Sequence, residues 1–469
     1  MESIQAVVES TGQEHLLQFW AELSSEEKTH LEAQIRSVDF ELTHRLTDTW
    51  IRQHPEPDEI ETINPMPTLP IVDPTSGEAK DALAAGEEAL SKGEVGLILV
   101  AGGQGTRLGF DGPKGSFPIG PVSGKSLFEY HAAKIHHYNN RYGCILPWYI
   151  MVGDTNEAAT KAFFKANNYF GLQKNDISFF KQAMMPCVGE DGKIILDEKH
   201  SLAMNPNGHG GCIPALVDEG IIDDAKNRGV KSFSYFQVDN WAVKLADPYF
   251  IGYHLVNDGK MSAKIQRKVE PREAAGVYCE ADGQYIVIEY TELDIYPQLM
   301  DMGPDGTLKH FAANAAIHML DVAFIEEVYN RFADFPWHCS HKKIPIVNAD
   351  GIRTTPEELN GYKFETFVFD AFRFSDNKPV ALEIERLGEF TPTKQMTGPG
   401  SVEQARIDMS RYWAQWLKAA GIERSLDDVL IEIDPRFAFN QIQFVEKADS
   451  LSIPDSGNIF INAEGVVSQ

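Results

Sequence analysis

Cysteine, basic charge and long apolar runs are all scarce in this chain of 469 residues. Five cysteines occur, an odd number without paired spacing. That excludes a disulfide framework and points to reduced thiols in a reducing compartment, hence the cytoplasm. No apolar run approaches the roughly 18 residues that a membrane helix needs. The opening MESIQAVVESTGQE is acidic and polar, unlike a signal peptide. Lysine and arginine number 42 against 69 aspartates and glutamates, a net charge of −27. A surface this acidic excludes nucleic acid and anionic membranes as partners. Internal repeats and low-complexity tracts are also absent.

What is present begins with GLILVAGGQGTRLGFDGPK, Gly96 to Lys114. Leu97 to Val100 form an uninterrupted apolar stretch, which reads as a parallel strand buried on both faces. The loop that follows leaves the carboxyl edge of the sheet. Gly102, Gly103, Gly105 and Gly109 allow backbone N–H groups to approach an anion closely, and Arg107 and Lys114 supply countercharge. Because the chain as a whole repels anions, phosphate binding requires such a local cluster, completed by a divalent metal.

Spacing removes two look-alikes. From Gly103 the sequence reads Gly-Gln-Gly-Thr-Arg-Leu, with the next glycine one place late for a dinucleotide fingerprint. GPVSGKS, Gly120 to Ser126, imitates a P-loop but is one residue short between its glycines, and no strand precedes it. Ser123 to Lys125 are better read as the opening of a helix.

Residues 14 to 50 carry Leu16, Phe19, Trp20, Leu23, Leu31 and Ile35 at helical spacing, with Ser24 and Glu27 as a capping box between two helices. Pro55, Pro57, Pro65, Pro67, Pro70 and Pro74 predict an extended connector without regular structure. Apolar strands at Leu97–Ala101, Trp148–Val152, Ile177–Phe180 and Ser232–Val238 alternate with helices near 125–140, 156–168 and 213–228. This is the pattern of an α/β doubly wound sheet that binds ligands beyond its carboxyl ends. A helix over 401–420 leads into short strands at Val429–Ile433 and Ile442–Val445, reading as a small β-containing C-terminal domain. A chain this long exceeds one core, and three segments are expected: 1–88 helical with the proline-rich connector, 89–380 the nucleotide- and sugar-binding core, and 381–469 C-terminal. His338, Cys339 and His341 lack a second ligand pair at structural-zinc spacing, so a packed loop is expected there. The acidic run Glu56 to Glu61 reads as solvated surface.

VAGGQGTRLGFDGPKG resembles the signature loop of the eukaryotic-type UDP-sugar pyrophosphorylases, most closely the UDP-N-acetylglucosamine pyrophosphorylases. The resemblance continues in family order through PWYIM (147–151), FFKQAMMP (179–186), GHGG (208–211), QVDNWAVKLADPYFIGYH (237–254), VIEYTEL (287–293), HKKIP (341–345), KFETFVFD (363–370) and EFTPTK (389–394). It implies a Rossmann-like, GT-A-like nucleotidyltransferase fold with a mixed sheet. The activity implied joins UTP and N-acetylglucosamine 1-phosphate into UDP-N-acetylglucosamine and pyrophosphate, by in-line attack on the α-phosphorus. The phosphate nucleophile is already ionised near neutral pH, so positioning and charge neutralisation suffice without a general base.

Residue by residue, the resemblance implies Lys114, Arg107 and Lys394 as the catalytic cations on the phosphates and Asp239 as the ligand of Mg2+. It implies Gly102, Gly103, Gly105, Gln182 and Gly208 for the nucleotide, and His209, Gly276, Glu289, Asn314, Phe367 and Phe369 for the sugar. Read without the resemblance, Asp239 would be a solvated strand-end acid, Lys394 a surface lysine, and Phe367 with Phe369 strand core. One departure stands out. The N-acetylglucosamine enzymes usually read Gly-Asn-Gly-Gly where this chain has Gly208-His209-Gly210-Gly211. UDP-glucose and broad UDP-sugar enzymes carry the histidine, which makes them the second reading. A catalytically silent nucleotide-sugar binder and a nucleotide hydrolase are the alternatives of other classes. A monomer or weak homo-oligomer is expected.

Overall fold

The computed structural model describes residues 3–53, 59–375, 380–426 and 428–468; Pro55, Pro57 and Glu56 of the connector lie outside them. Contacts group the chain into two units, each assembled from separate segments: residues 1–59, 182–211 and 333–370 in one, and 60–181, 212–332 and 371–469 in the other.

The larger unit is built on a mixed sheet that has ten strands among the described residues. They are β1 (Ile63–Pro65), β2 (Val95–Val100), β3 (Trp148–Val152), β4 (Ile177–Lys181), β5 (Ser232–Gln237), β6 (Met261–Arg267), β7 (Val277–Ala281), β8 (Gln284–Ile288), β9 (Ala312–Asp321) and β10 (Val380–Ile384). Along β5-β2-β3-β4 the strands are parallel, and they are the four that the apolar runs predict. Leu97, Ile98 and Leu99 are fully buried, as a central strand covered on both faces requires. β9 runs antiparallel to β5, β6 and β7, so the sheet turns mixed on that side.

The proline-rich connector is more regular than expected. Ile63, Asn64 and Pro65 pair antiparallel with Ala281, Glu280 and Cys279. β1 lies at the end of the strand order, where the missing proline N–H breaks no ladder. Helix 77–91 packs on helix 248–256 so closely that a Cβ on Gly252 would sit 1.6 Å from the Ala82 carbonyl oxygen.

Within this unit the C-terminal residues form helix Val402–Ala419 and a three-stranded sheet of Ile431–Ile433, Ile459–Ile461 and Val467–Ser468. The strand expected at Ile442–Val445 is instead part of a helix, Gln441–Ala448. Asn440 caps it by accepting from Gln443 N at 2.9 Å. Phe444 alone turns inward while Ile442 stays 72% exposed, so the apparent alternation was not a buried face.

The P-loop look-alike is a structural clasp. Glu432, on the strand 431–433, accepts Val122 N at 2.9 Å and Ser123 N at 2.7 Å, and also takes the Ser123 hydroxyl. Asp434 pairs with Lys125 and with Arg436, the latter at 2.8 Å. The helix itself starts at Leu127, capped by Ser126 with Glu129.

Burial pushes the Asp434 carboxyl up, but Arg436 and Lys125 outweigh it and hold the group at about 2, below its ordinary 3.8. A carboxyl depressed on folding contributes stability that is complete above its unfolded value and lost as pH falls through the folded one. The wild type is therefore expected to lose its thermal-stability advantage over Asp434→Asn as pH drops from 3.8 toward about 2. A pH series of melting midpoints for the two proteins checks this; an unchanging gap contradicts it.

The smaller unit packs Leu16, Phe19, Leu23, Leu31 and Ile35 against Ile194, Leu196 and Leu202. The capping box forms: Ser24 N donates to Glu27 Oε2 at 2.8 Å, and Glu27 N donates to Ser24 Oγ at 3.3 Å. Residues 14–22 make two 3-10 turns, Glu14–Leu17 and Trp20–Glu22, in place of one helix. His338–Lys342 pairs antiparallel with Gly361–Glu365, which also pairs with Val188–Gly189.

Candidate active site

Because β2 and β5 are parallel neighbours with Val100 opposite Gln237, the loops that follow them leave the same edge of the sheet. One is the glycine loop and the other carries Asp239. The glycine loop folds on its own backbone: Gly105 N donates to Gly112 O at 2.8 Å and Lys114 N to Gly103 O at 3.1 Å. A Cβ on Gly105 would lie 2.8 Å from Phe110, whereas one on Gly103 would meet nothing in the protein. Packing thus explains Gly105, while Gly103 is exposed and has no protein atom where a side chain would stand. Arg107 stands exposed on the turn Thr106–Leu108.

The sequence gives no hint of the brace under this loop. Buried Asn156 donates through Nδ2 to Ala101 O at 2.7 Å and Gly103 O at 3.2 Å, and accepts Gly153 N at 2.9 Å. Only its place just past β3, beside β2, marks it.

Two lysines converge on one carboxylate. Lys114 Nζ lies 2.8 Å and Lys394 Nζ 2.7 Å from Asp239 Oδ2. Asp239 is only 4% exposed. Burial pushes its carboxyl up, but Lys394 and Lys114 outweigh this and hold it well below the usual carboxylate range. Two ammonium groups on one carboxylate leave a net positive charge, the sign a phosphate seeks. Among the described residues no group of three His, Cys, Asp or Glu side chains could hold a metal ion. A lone carboxylate nevertheless suits Mg2+, which takes one or two carboxylates together with phosphates and waters.

Gly276, Glu289 and Asn314 also come together in the larger unit. Asn314 N donates to Gly276 O at 2.9 Å, and a Cβ on Gly276 would lie 2.8 Å from Glu289 Oε1. Asn314 Oδ1 accepts from Tyr278 OH at 3.2 Å and from Ala316 N at 2.8 Å. Ala316 has φ +53, a left-handed residue inside β9 that holds the carboxamide in one orientation.

The remaining candidates lie in the smaller unit. Gln182 Nε2 donates to Gly208 O at 2.6 Å. Gly208 has φ +80, and a Cβ there would lie 2.2 Å from Thr366 O, so only glycine fits. His209 Nδ1 accepts Val368 N at 3.1 Å. Its ring stacks on Phe367 at 5.2 Å and meets Phe369 edge-on at 5.6 Å. These phenylalanines are not on a strand: Phe367 lies just before, and Phe369 within, the 3-10 helix Val368–Phe374. His338 Nε2 lies 2.8 Å from Asp370 Oδ2 and its ring 4.4 Å from Phe367, while the His341 ring stacks on Tyr362 at 4.3 Å. Both histidines are engaged within the protein, but on the strand His338–Lys342 rather than in the expected loop, because the segment pairs with Gly361–Glu365.

Cations gathered past the carboxyl ends of a mixed α/β sheet suit the phosphates of a nucleotide, and the relatives of the chain are nucleotidyltransferases. The family model described as UTP–glucose-1-phosphate uridylyltransferase matches residues 43–413, and the chain belongs to that family. It is 35% identical over 434 residues to the human UDP-N-acetylhexosamine pyrophosphorylase-like protein 1, covering 88% of this chain and 85% of the relative. To the UDP-N-acetylglucosamine pyrophosphorylase of Saccharomyces cerevisiae it is 34% identical over 449 residues, 91% and 90% of the two chains. The solved uridine diphosphate N-acetylglucosamine pyrophosphorylase of Trypanosoma brucei superimposes with a TM-score of 0.82 at 25% identity, covering 97% of each chain. Among the described residues no helix is long and apolar enough to cross a membrane.

Proposed function

We propose that the protein transfers the uridylyl group of UTP to N-acetylglucosamine 1-phosphate, giving UDP-N-acetylglucosamine and pyrophosphate. The observation that carries this reading is the convergence of Lys114 and Lys394 on Asp239 beside the glycine loop. A phosphate oxygen of the sugar 1-phosphate forms the new bond to the α-phosphorus, and the bond from that phosphorus to the β-phosphate oxygen breaks. Lys114 and Lys394 neutralise charge on the transferred group, and Arg107 holds the β- and γ-phosphates that leave. In the larger unit Gly102 and Gly103 are assigned to the uracil; in the smaller unit Gln182 and Gly208 carry the nucleotide assignment. Asp239 would hold Mg2+, which when bound neutralises phosphate charge.

Gly276, Glu289 and Asn314 address the hexose, and Phe367 and Phe369 the acetyl methyl. His209, stacked on Phe367, favours UDP-glucose or mixed UDP-sugar synthesis as the second reading. The five unpaired cysteines support a cytoplasmic protein, and a monomer or weak homo-oligomer is the assembly we favour.

The reverse reaction tests the reading. UDP-N-acetylglucosamine with pyrophosphate and Mg2+ is expected to yield UTP, and a chelator is expected to abolish that yield. No UTP from either UDP-sugar would overturn the proposal.

A further inference from the structure

We propose that Glu389 is a positioning residue for catalysis, acting through Lys394 by anchoring the segment that carries it. The inference rests on the assignment of Lys394 to the phosphates.

Lys394 is 49% exposed along its side chain and follows Thr391, Pro392 and Thr393, a stretch outside any helix, in which Pro392 makes only an isolated antiparallel bridge with Asn240. A long lysine there has many rotamers. Its ammonium can be placed reproducibly only if its backbone is fixed from elsewhere. Three bonds stitch the segment to the loop of Asp239: Asn240 Nδ2 donates to Glu389 O at 2.8 Å, Thr391 N to Asn240 Oδ1 at 3.1 Å, and Thr393 N to Asp239 O at 2.9 Å. The first starts from Glu389 itself, the last residue of the short helix Arg386–Glu389.

The Glu389 side chain is the fixed end. Oε1 takes Lys244 Nζ at 2.8 Å and Oε2 takes Lys264, which also lies 2.6 Å from Asp247 Oδ2. Lys264 is fully buried in β6, and Asp247 caps helix 248–256 by accepting Tyr249 N at 3.1 Å. The quartet of two lysines and two carboxylates is neutral and is tied to both a strand and a helix. It holds the segment from its start while Lys394 reaches Asp239 from its end. A quartet that served stability alone would show no dependence on Lys394.

A kinetic cycle separates the two roles. Glu389→Gln keeps the shape and removes the charge. In the full-length protein it is expected to lower kcat by about 10- to 100-fold, as a misplacement on the scale of an ångström does, with KM for both substrates changed by less than about threefold. In a Lys394→Ala background the same change is expected to cost less than about twofold further, because the group it positions is gone. Melting midpoints of all four proteins show whether each is folded. If Glu389→Gln does not fold, Asn240→Ser takes its place in the cycle, since it cuts two of the three stitches and leaves the quartet charged. Unchanged kcat in the folded variant overturns the proposal, as do losses that multiply in the double variant. Full activity of Lys394→Ala alone is a different failure: it removes the assignment of Lys394 itself, and the proposal with it.

Discussion

Replacing Lys114 by alanine is expected to lower kcat by about 100- to 1,000-fold, the loss typical when one preorganised donor to a developing charge is removed. The nucleophile is a phosphate that is already ionised, so no proton transfer shares the work, and the cations carry the chemistry. Lys114 is fixed twice, by its amide on Gly103 O and by its ammonium 2.8 Å from Asp239. Lys394 still pairs with Asp239 in the variant, so the carboxylate is not left bare and the fold should persist. Steady-state kinetics alongside circular dichroism checks this. A folded Lys114→Ala protein with wild-type kcat would remove the catalytic assignment and favour a silent binder.

The second large effect is on stability. Lys264→Met is expected to destabilise the protein by about 3–5 kcal/mol, because removing one member of a buried ionic cluster leaves uncompensated charge. Asp247 would then lose its ion pair, and Glu389 would keep only Lys244. Burial pushes Glu389 up, and Lys244 and Lys264 outweigh it in the native protein. Without Lys264 that balance is weakened. Chemical denaturation of the variant measures the cost. Adding Glu389→Gln to Lys264→Met should recover part of it, since the excess negative charge is then gone. A Lys264→Met protein as stable as the wild type would show that the quartet contributes little.

The parallel half of the sheet could be read from the chain because buried strands such as Trp148–Val152 are continuous apolar runs, and few other structures produce that pattern. The glycine loop was legible for a similar reason: its glycines and cations are local. What the residues did not show without the family resemblance was set by distant partners. Lys114 and Asp239 are 125 residues apart, and nothing local in EFTPTK marks Lys394 as more than a surface lysine. Asn156 braces the glycine loop from a different strand end. Lys264 is a buried charge in the strand MSAKIQR, whose one exposed residue is Arg267, a position where periodicity gives no warning of an ion pair. Ile442 and Val445 show the opposite error: apolar letters in alternation, on the exposed side of a capped helix. Pro65 shows that proline forbids a central strand but not an edge.

Uridylyl transfer to an acetylated amino sugar is read out by pyrophosphate release from UTP and Mg2+. N-acetylglucosamine 1-phosphate and glucose 1-phosphate would be offered separately and kcat/KM compared. Release is expected with either sugar phosphate and none without one, with the acetylated sugar favoured by about tenfold or more, the discrimination a small apolar contact such as Phe367 and Phe369 provide can supply. Preference for glucose 1-phosphate would contradict it and make His209 the determinant, and no release with either would contradict uridylyl transfer itself.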